Sequence, residues 1–451
     1  MRRTTTLLVT GLVSGAVLTA GALAGYATTA TATDPAPSTS TVPDNDSATS
    51  IDTGTGIDTG KGAATASEAR RSDGLRKVMF VGNNWEGTAT IVDARSYRTL
   101  GTLNTIPDQE ERMLEIASNP DKAAYYAAIK VAIGQGSDQF TDDLFSTHDG
   151  RMVAVSRPSF ADVVGISLRT GRIKWRFPME GYRSDHMAVS PDGRRLLVSD
   201  STANKVHELN IFTGRKVREF ASGDTPHENN YSGNGRKIFH ASIGMVYTPL
   251  DQPALDTTKG ERYLQVVRNR DFKIVERWDI GKKLARAGYP KMSSAVRPMA
   301  VAPDERFAYL QVSFFHGFVE FDMDKERVRR IATLPDRTNG TPREDYVLDS
   351  AHHGLAMNPS GKKLCVAGTM SNYAAIVKRK TFRHKIVASG KKPYWSTNGP
   401  GNTCWVSFAG SDKVAVIDYA REKRITQFPV GDHPQRVREG VVRNGILRGM
   451  R

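Results

Sequence analysis

Sequence motifs that would name a reaction are scarce in this chain. It has no Gly-rich phosphate loop, no GxSxG nucleophile elbow and no dinucleotide-binding fingerprint. It has no HxH or HExxH pair to supply closely spaced metal ligands. Only two of its 451 residues are cysteine, Cys365 and Cys404, and neither lies near the start of the chain, so an N-terminal lipid-modified cysteine is excluded. Acidic residues are outnumbered, 48 Asp and Glu against 63 Lys and Arg, for a net charge of +15. Such an excess attracts acidic cell-wall polymers, lipid surfaces or nucleic acid. No nucleic-acid motif and no basic run with interleaved aromatics is present, so nucleic acid is not expected as a partner. Arg327, Arg329, Arg330, Lys378, Arg379 and Lys380 read as a solvated face, leaving an acidic cell-wall polymer as the polyanion to consider.

What the chain has instead is repetition. Seven segments, starting at Thr88, Val163, Lys205, Tyr263, Phe318, Tyr373 and Lys413, each alternate apolar and polar residues, turn, and alternate again. TATIVDARSYRTLGTL and KVAVIDYAREKRITQF are two of them. Period-two alternation across a short polar turn is a hairpin. Ahead of several of these stands a second hairpin around a Ser-Pro-Asp-Gly-type turn: MAVSPDGRRLLVS from Met187, MAVAPDERFAYLQVS from Met299 and LAMNPSGKKLCVAG from Leu355. Proline presets φ there, and Gly or Asp tolerates the corner. Two hairpins make a four-stranded unit that must stack on copies of itself to bury its faces, and a repeat of roughly 40 to 55 residues indicates a propeller or solenoid.

The first unit, KVMFVGNN from Lys77, lacks an innermost strand, whereas PQRVREGVVRNG from Pro434 is a strand without a unit. The expectation is an all-β, seven-bladed β-propeller over residues 74–451, the C-terminal strand closing the N-terminal blade and removing two open edges. Trp405 to Gln435, WVSFAGSDKVAVIDYAREKRITQFPVGDHPQ, together with the Ser-Pro-Asp-Gly turns, resembles the YVTN-type repeat of secreted bacterial propellers. SGNG, from Ser232, departs from the pattern in the fourth unit. The resemblance implies fold and export. It does not imply one activity, because related propellers include lactone hydrolases, metal-dependent oxidoreductases, surface-layer proteins and binding modules.

Residues 1–32 begin with Arg2 and Arg3, continue as the apolar run Leu7 to Gly25, and reach the small residues Ala30 and Ala32. This is expected to be a cleaved signal peptide. Its Gly- and Thr-rich core is too weakly apolar for a stable span. A secreted or cell-envelope location follows. Residues 33–73, rich in Ser, Thr, Asp, Gly and Pro, are expected to be a disordered linker.

In a propeller, innermost strands line a central channel, and polar residues converging at its mouth form the default site. Five residues before the Ser of each Ser-Pro-Asp-Gly turn, or its equivalent, stand Asp142, Asp185, His227, Arg297, His353, Tyr394 and Gln435. His186, Glu228, His352 and His433 are their neighbours. Asp200 and Asp418 instead fit hydrogen bonding within their own blades. Three chemistries suit this ring. His, Arg and Tyr bind a small anionic or polyol molecule or a cell-envelope ligand, with Arg297 as the charge clamp; this is the leading reading. Alternatively His227 or His353 acts as acid or base, with Arg297 and Tyr394 assisting, as in a lactonase or lyase. Third, His227, His352 or His353 with His186 or Asp185 holds a divalent metal such as copper, zinc or calcium, as in an oxidoreductase.

Pro107 to Gly134 breaks the strand pattern. It reads as two short helices separated at Asn119-Pro120, a lid over the channel mouth with Tyr125 and Tyr126 toward a ligand. Gly244 to Gly260 reads as a surface loop. Cys365 and Cys404 lie in second strands of neighbouring units, offset by one residue, so their sulfurs either face each other or both face away. Sheets stacked roughly 10 Å apart make a disulfide between them difficult.

Overall fold

The computed structural model describes residues 74–246 and 258–450. The leader and linker expected at residues 1–73 lie outside the described residues. Blade one contains β1 (Leu75–Asn83), β2 (Thr88–Asp93) and β3 (Thr99–Asn104). The helices α1 (Gln109–Ala117) and α2 (Pro120–Ala128) follow, then a π-helical turn over Ile129–Ile133. Blade two is β4 (Asp143–Ser146), β5 (Met152–Arg157), β6 (Asp162–Ser167) and β7 (Ile173–Pro178). Blade three is β8 (Ser184–Val189), β9 (Arg195–Asp200), β10 (Lys205–Asn210) and β11 (Lys216–Ala221). Blade four is β12 (Pro226–Tyr231), β13 (Lys237–Ser242), β14 (Tyr263–Arg268) and β15 (Lys273–Asp279), with α3 (Ile280–Arg286) after it. Blade five is β16 (Val296–Val301), β17 (Phe307–Val312), β18 (Gly317–Asp322) and β19 (Arg327–Thr333). Blade six is β20 (Leu355–Met357), β21 (Lys363–Gly368), β22 (Tyr373–Lys378) and β23 (His384–Ser389). Blade seven is β24 (Pro393–Gly399), β25 (Thr403–Phe408), β26 (Lys413–Asp418) and β27 (Lys423–Pro429). The chain finishes with β28 (Pro434–Arg443) and α4 (Asn444–Gly449).

The seven four-stranded antiparallel sheets form a β-propeller. Blade one has the order β28-β1-β2-β3, so the C-terminal strand supplies its innermost member. The pairing runs from Leu75 opposite Arg443 to Asn83 opposite Pro434. Val437 on β28 is fully buried against Met79, Val81 and Trp405, so closure also seals the joint between blades one and seven.

Turn chemistry sets each hairpin locally. Between β8 and β9, Ser190 Oγ accepts from Arg195 N and donates to Asp192 Oδ1, which accepts from Arg194 N. Gly193 closes this corner at φ +69°, a conformation that favours glycine. Asp200 and Asp418 act within their own blades. Asp200 accepts from the backbone of Gly181 and Ala203, and Asp418 from Ala420 and Arg421.

The second strands are apolar and buried on both faces, as blades packed on each side require: β5, β17 and β25 contain no exposed residue. The outermost strands are largely exposed. In all seven blades the pairing of the third with the fourth strand shifts register once, a bulge that adds twist to the outer edge. Some outer cations are tied down rather than merely solvated. Arg330 holds Glu320 at 2.9 Å and lies 3.7 Å over the Phe382 ring, while Arg379 Nε donates to Tyr309 Oη at 2.6 Å.

Cys365 and Cys404 form a disulfide between β21 and β25, with Cα atoms 6.5 Å apart. The 10 Å expectation for stacked sheets does not hold here because blades splay outward from an axis. Second strands lie near the axis, where neighbouring sheets are closest. Among the described residues no helix is long and apolar enough to cross a membrane.

Candidate functional site

A second set of register shifts builds the site. In five blades the innermost strand slips against its neighbour, between Val81 and Asn83 opposite β28, Ser184 and Met187, Pro226 and Glu228, Val296 and Met299, and Pro393 and Trp395. Asp185, His186, His227, Arg297, Tyr394, Gln435 and Arg436 all sit within these slips. A bulge re-aims side chains that regular pleating would send into the blade interface. In blades two and six the strand begins just after Asp142 and His353, with the same result.

All seven residues at the equivalent position, Asp142, Asp185, His227, Arg297, His353, Tyr394 and Gln435, line one cavity. Each is buried, with at most 4% of its surface exposed. Hydroxyls of the preceding blade hold several from behind. Ser156 Oγ donates to the Asp185 carbonyl, Ser199 Oγ to that of His227, and Ser407 Oγ to that of Gln435. Ser313 Oγ accepts from Arg297 Nε at 2.9 Å.

His186 also lines the cavity, as do three polar residues that the sequence reading missed: Arg183, Gln139 and Arg436. Arg436 follows Gln435 directly, and Arg183 lies two residues before Asp185; charge next to a ring position was the available signal. Ile133, Ile243, Val246 and Leu348 complete the lining with apolar surface. The expected lid is therefore present only in its last turn. Ile133 reaches the cavity, but Tyr125 stacks on Tyr182 at 4.2 Å and Tyr126 packs against Ile116, Phe140 and Phe160. The helices do break where expected: Asn119 Oδ1 caps α2 by accepting from Lys122 N, and Pro120 occupies its first turn. The insertion within blade four, between β13 and β14, begins with Ile243 and Val246 buried against Ala295 rather than at the surface; residues 247–257 lie outside the described residues.

Glu228 stands one layer behind the cavity, with Oε2 2.6 Å from His186 Nδ1. His352 turns away, between blades five and six: its Nε2 lies 3.3 Å from Tyr373 Oη and its ring meets that of His316 edge-on. His433 stacks on Trp85 at 3.7 Å, also outside the cavity lining. Both were expected at the ring because they lie near ring positions. His352 is one residue from His353, and adjacent extended residues point in opposite directions. His433, two residues before Gln435, lies ahead of β28 in the left-handed region at φ +52°, which turns it away from the strand's alternation.

Three imidazoles meet in the cavity. Ligand-capable atoms of His186, His227 and His353 lie within 4.8 Å of one another, as do those of Asp142, Asp185 and His186. Burial, reinforced by Arg436, Arg297 and the neighbouring imidazoles, holds all three histidines well below the usual histidine range, so they are neutral near pH 7. Burial pushes Asp142 up to about 6 against the pull of Arg436, and Glu228 up to about 7 against Arg438 and Arg436. It also pushes Tyr394 up to about 12, so that hydroxyl remains a donor. Arg183 pairs with Asp185 at 2.8 Å. Arg436 lies 3.5 Å from Asp142, 4.3 Å over the Trp395 ring, and donates through Nη2 to His186 Nε2.

A third group, Glu180, His207 and Glu219, also brings ligand atoms together, but Lys205 and Lys216 already neutralise it at the surface.

No family model matches the chain, and no curated protein matches it. Among solved structures, the hydrazine synthase of Kuenenia stuttgartiensis is similar at 14% identity and a TM-score of 0.48, covering 65% of this chain and 87% of that one.

Proposed function

We propose that this chain is an exported propeller that binds a small oxyanion or carboxylate in the cavity at its channel mouth. The observation that carries this reading is Arg436. It is 1% exposed and lines the cavity, and its Nε and Nη1 have no hydrogen-bond partner among the described residues. A buried guanidinium with unused donors is costly, and a planar oxyanion matches its fork. Arg297, Arg183 and the Tyr394 hydroxyl line the same space and add positive charge and a donor.

Size limits the ligand. The cavity volume is about 20 Å³, and about 10–15 Å³ suffices for one water. This favours an ion of a few atoms over the lactone ring or acidic sugar of a lactonase or lyase. Export is supported by the basic-then-apolar N-terminus, by the resemblance of the final blade to secreted YVTN-type repeats, and by the Cys365–Cys404 disulfide, which suits an oxidising compartment.

Calorimetric titration of the chelator-treated full chain with formate, nitrite and sulfite tests the reading. One saturable site is expected for at least one of them. Arg436→Met is expected to weaken it by about thirtyfold or more, the equivalent of about 2 kcal/mol for losing a buried charge contact. No heat with any of the three anions, or unchanged affinity in Arg436→Met, would overturn it.

A further inference from the structure

We propose that the same cavity holds a divalent transition-metal ion on His186, His227 and His353, with Asp142 or Asp185 as a carboxylate ligand. The proposal deepens the reading of this cavity as the ligand site, because a metal there would give a bound anion a direct partner.

Four observations converge. The three imidazoles come from three different blades and bring ligand-capable atoms within 4.8 Å of one another at the channel axis. His186 also belongs to the group with Asp142 and Asp185, so nitrogen and carboxylate donors share one centre. Two of the rings are oriented from behind. His186 Nδ1 is held by Glu228 at 2.6 Å and His353 Nδ1 by the Tyr394 carbonyl at 3.3 Å, the arrangement that leaves Nε2 with a free lone pair in metal-binding histidines. Finally, His227 Nδ1 and Asp142 Oδ2 are buried with no hydrogen-bond partner among the described residues, although each residue is only 4% exposed. Buried polar atoms are ordinarily satisfied, so these two point to a missing group.

The donor set selects the metal. Imidazole nitrogen with one carboxylate suits zinc, copper, nickel, cobalt or ferrous iron, whereas calcium and magnesium prefer oxygen ligands. Arg436 competes for the site. Its Nη2 donates to His186 Nε2, the lone pair that the metal needs, so metal entry requires Arg436 to let go. The released guanidinium is then available to the anion. Arg436 thus hinders the metal and serves the anion, so its removal acts on the two in opposite directions.

That opposition supplies the test. The untagged full chain, freed of metal by chelator, is titrated with Zn²⁺ and Cu²⁺, and the Cu²⁺ form is examined by electron paramagnetic resonance. One equivalent is expected to bind, with nitrogen hyperfine splitting from the imidazoles. His227→Gln/His353→Gln is expected to lower metal affinity by about a hundredfold or more, since even loss of an outer-shell partner costs about 10–100-fold. Formate, nitrite or sulfite binding is measured on the metal-free unaltered chain, where it should persist through Arg436 with no metal present. Arg436→Met is expected to tighten metal while losing the anion. Failure to bind either metal, or undiminished affinity in the double variant, overturns the metal site and leaves anion binding standing. If the double variant does not fold, the Cu²⁺ spectrum of the unaltered chain decides: nitrogen splitting supports the site, and its absence overturns it.

Discussion

His186 of blade three donates through Nδ1 to the carboxylate of Glu228 in blade four, at 2.6 Å. Arg436 fixes the direction of this bond. A guanidinium only donates, so Nε2 of His186 must accept and Nδ1 must carry the proton. One carboxylate therefore holds the tautomer of a buried ring. Replacing Glu228 by Leu would leave Nδ1–H unsatisfied and is expected to cost about 1–3 kcal/mol. Glu228→Gln retains an acceptor oxygen and should cost less than half as much. Urea unfolding of the two variants checks the difference; equal losses would remove Glu228 as the acceptor.

The disulfide joins blades six and seven across a separation of 39 residues. In the chain-entropy account, closing a loop of that length stabilises by about 4 kcal/mol at 25 °C. Cys365→Ser/Cys404→Ser, or the unaltered chain under reductant, is expected to melt at a lower temperature. Reductant should then have no effect on the double variant. A melting temperature insensitive to reductant in the unaltered chain would show that the bridge does not form in solution.

Closure by β28 concentrates stability at one strand. Val437 is fully buried between blades one and seven. An uncompensated carboxylate there would cost several kcal/mol and leave the edge of β1 open to other chains. Val437→Asp is expected to aggregate or to unfold at much lower urea. The exposed Glu439→Lys is the control and should shift the midpoint little, because its partner Lys77 is also at the surface. Light scattering and the urea midpoint report both effects.

Acid should weaken the fold before any carboxylate titrates normally. Burial holds His240 and His433 down to about 3, the positive charge of Lys392 adding to the effect at His433. Unfolded histidine titrates near 6.5. Folded and unfolded states therefore bind these protons equally above about pH 6.5, and the unfolded state binds more of them as pH falls from there toward 3. Stability contributed by neutral burial is full above that window and is lost through it. His433→Asn and His240→Gln are each expected to flatten the fall in unfolding free energy between pH 6.5 and 4. Parallel curves for the variants and the unaltered chain would contradict the assignment.

Much of the fold was legible in the order of residues because its causes are local. Period-two alternation and the Ser-Pro-Asp-Gly corners specify hairpins, and their repetition specifies blades. The unmatched strand at Pro434 accounts for closure. The ring was legible for the same reason. Asp142, Asp185, His227, Arg297, His353, Tyr394 and Gln435 occupy one position of a repeating unit, and the repeat carries each to the axis.

What depended on tertiary structure was direction and distance. A one-residue step separates His353, in the cavity, from His352, which turns into a blade interface; another separates Gln435 from Arg436, where both face inward. The bulges set that difference, and nothing in the alternation announces where a bulge will fall. The proximity of Cys365 to Cys404 likewise depends on how near the axis their strands run. By itself, then, the sequence determined the repeating strands, their number and the position that rings the channel, because hydrogen-bonding period and turn geometry act over a few residues. Only the assembled propeller decided which of those side chains meet, because burial and approach across the axis are properties of all seven blades together.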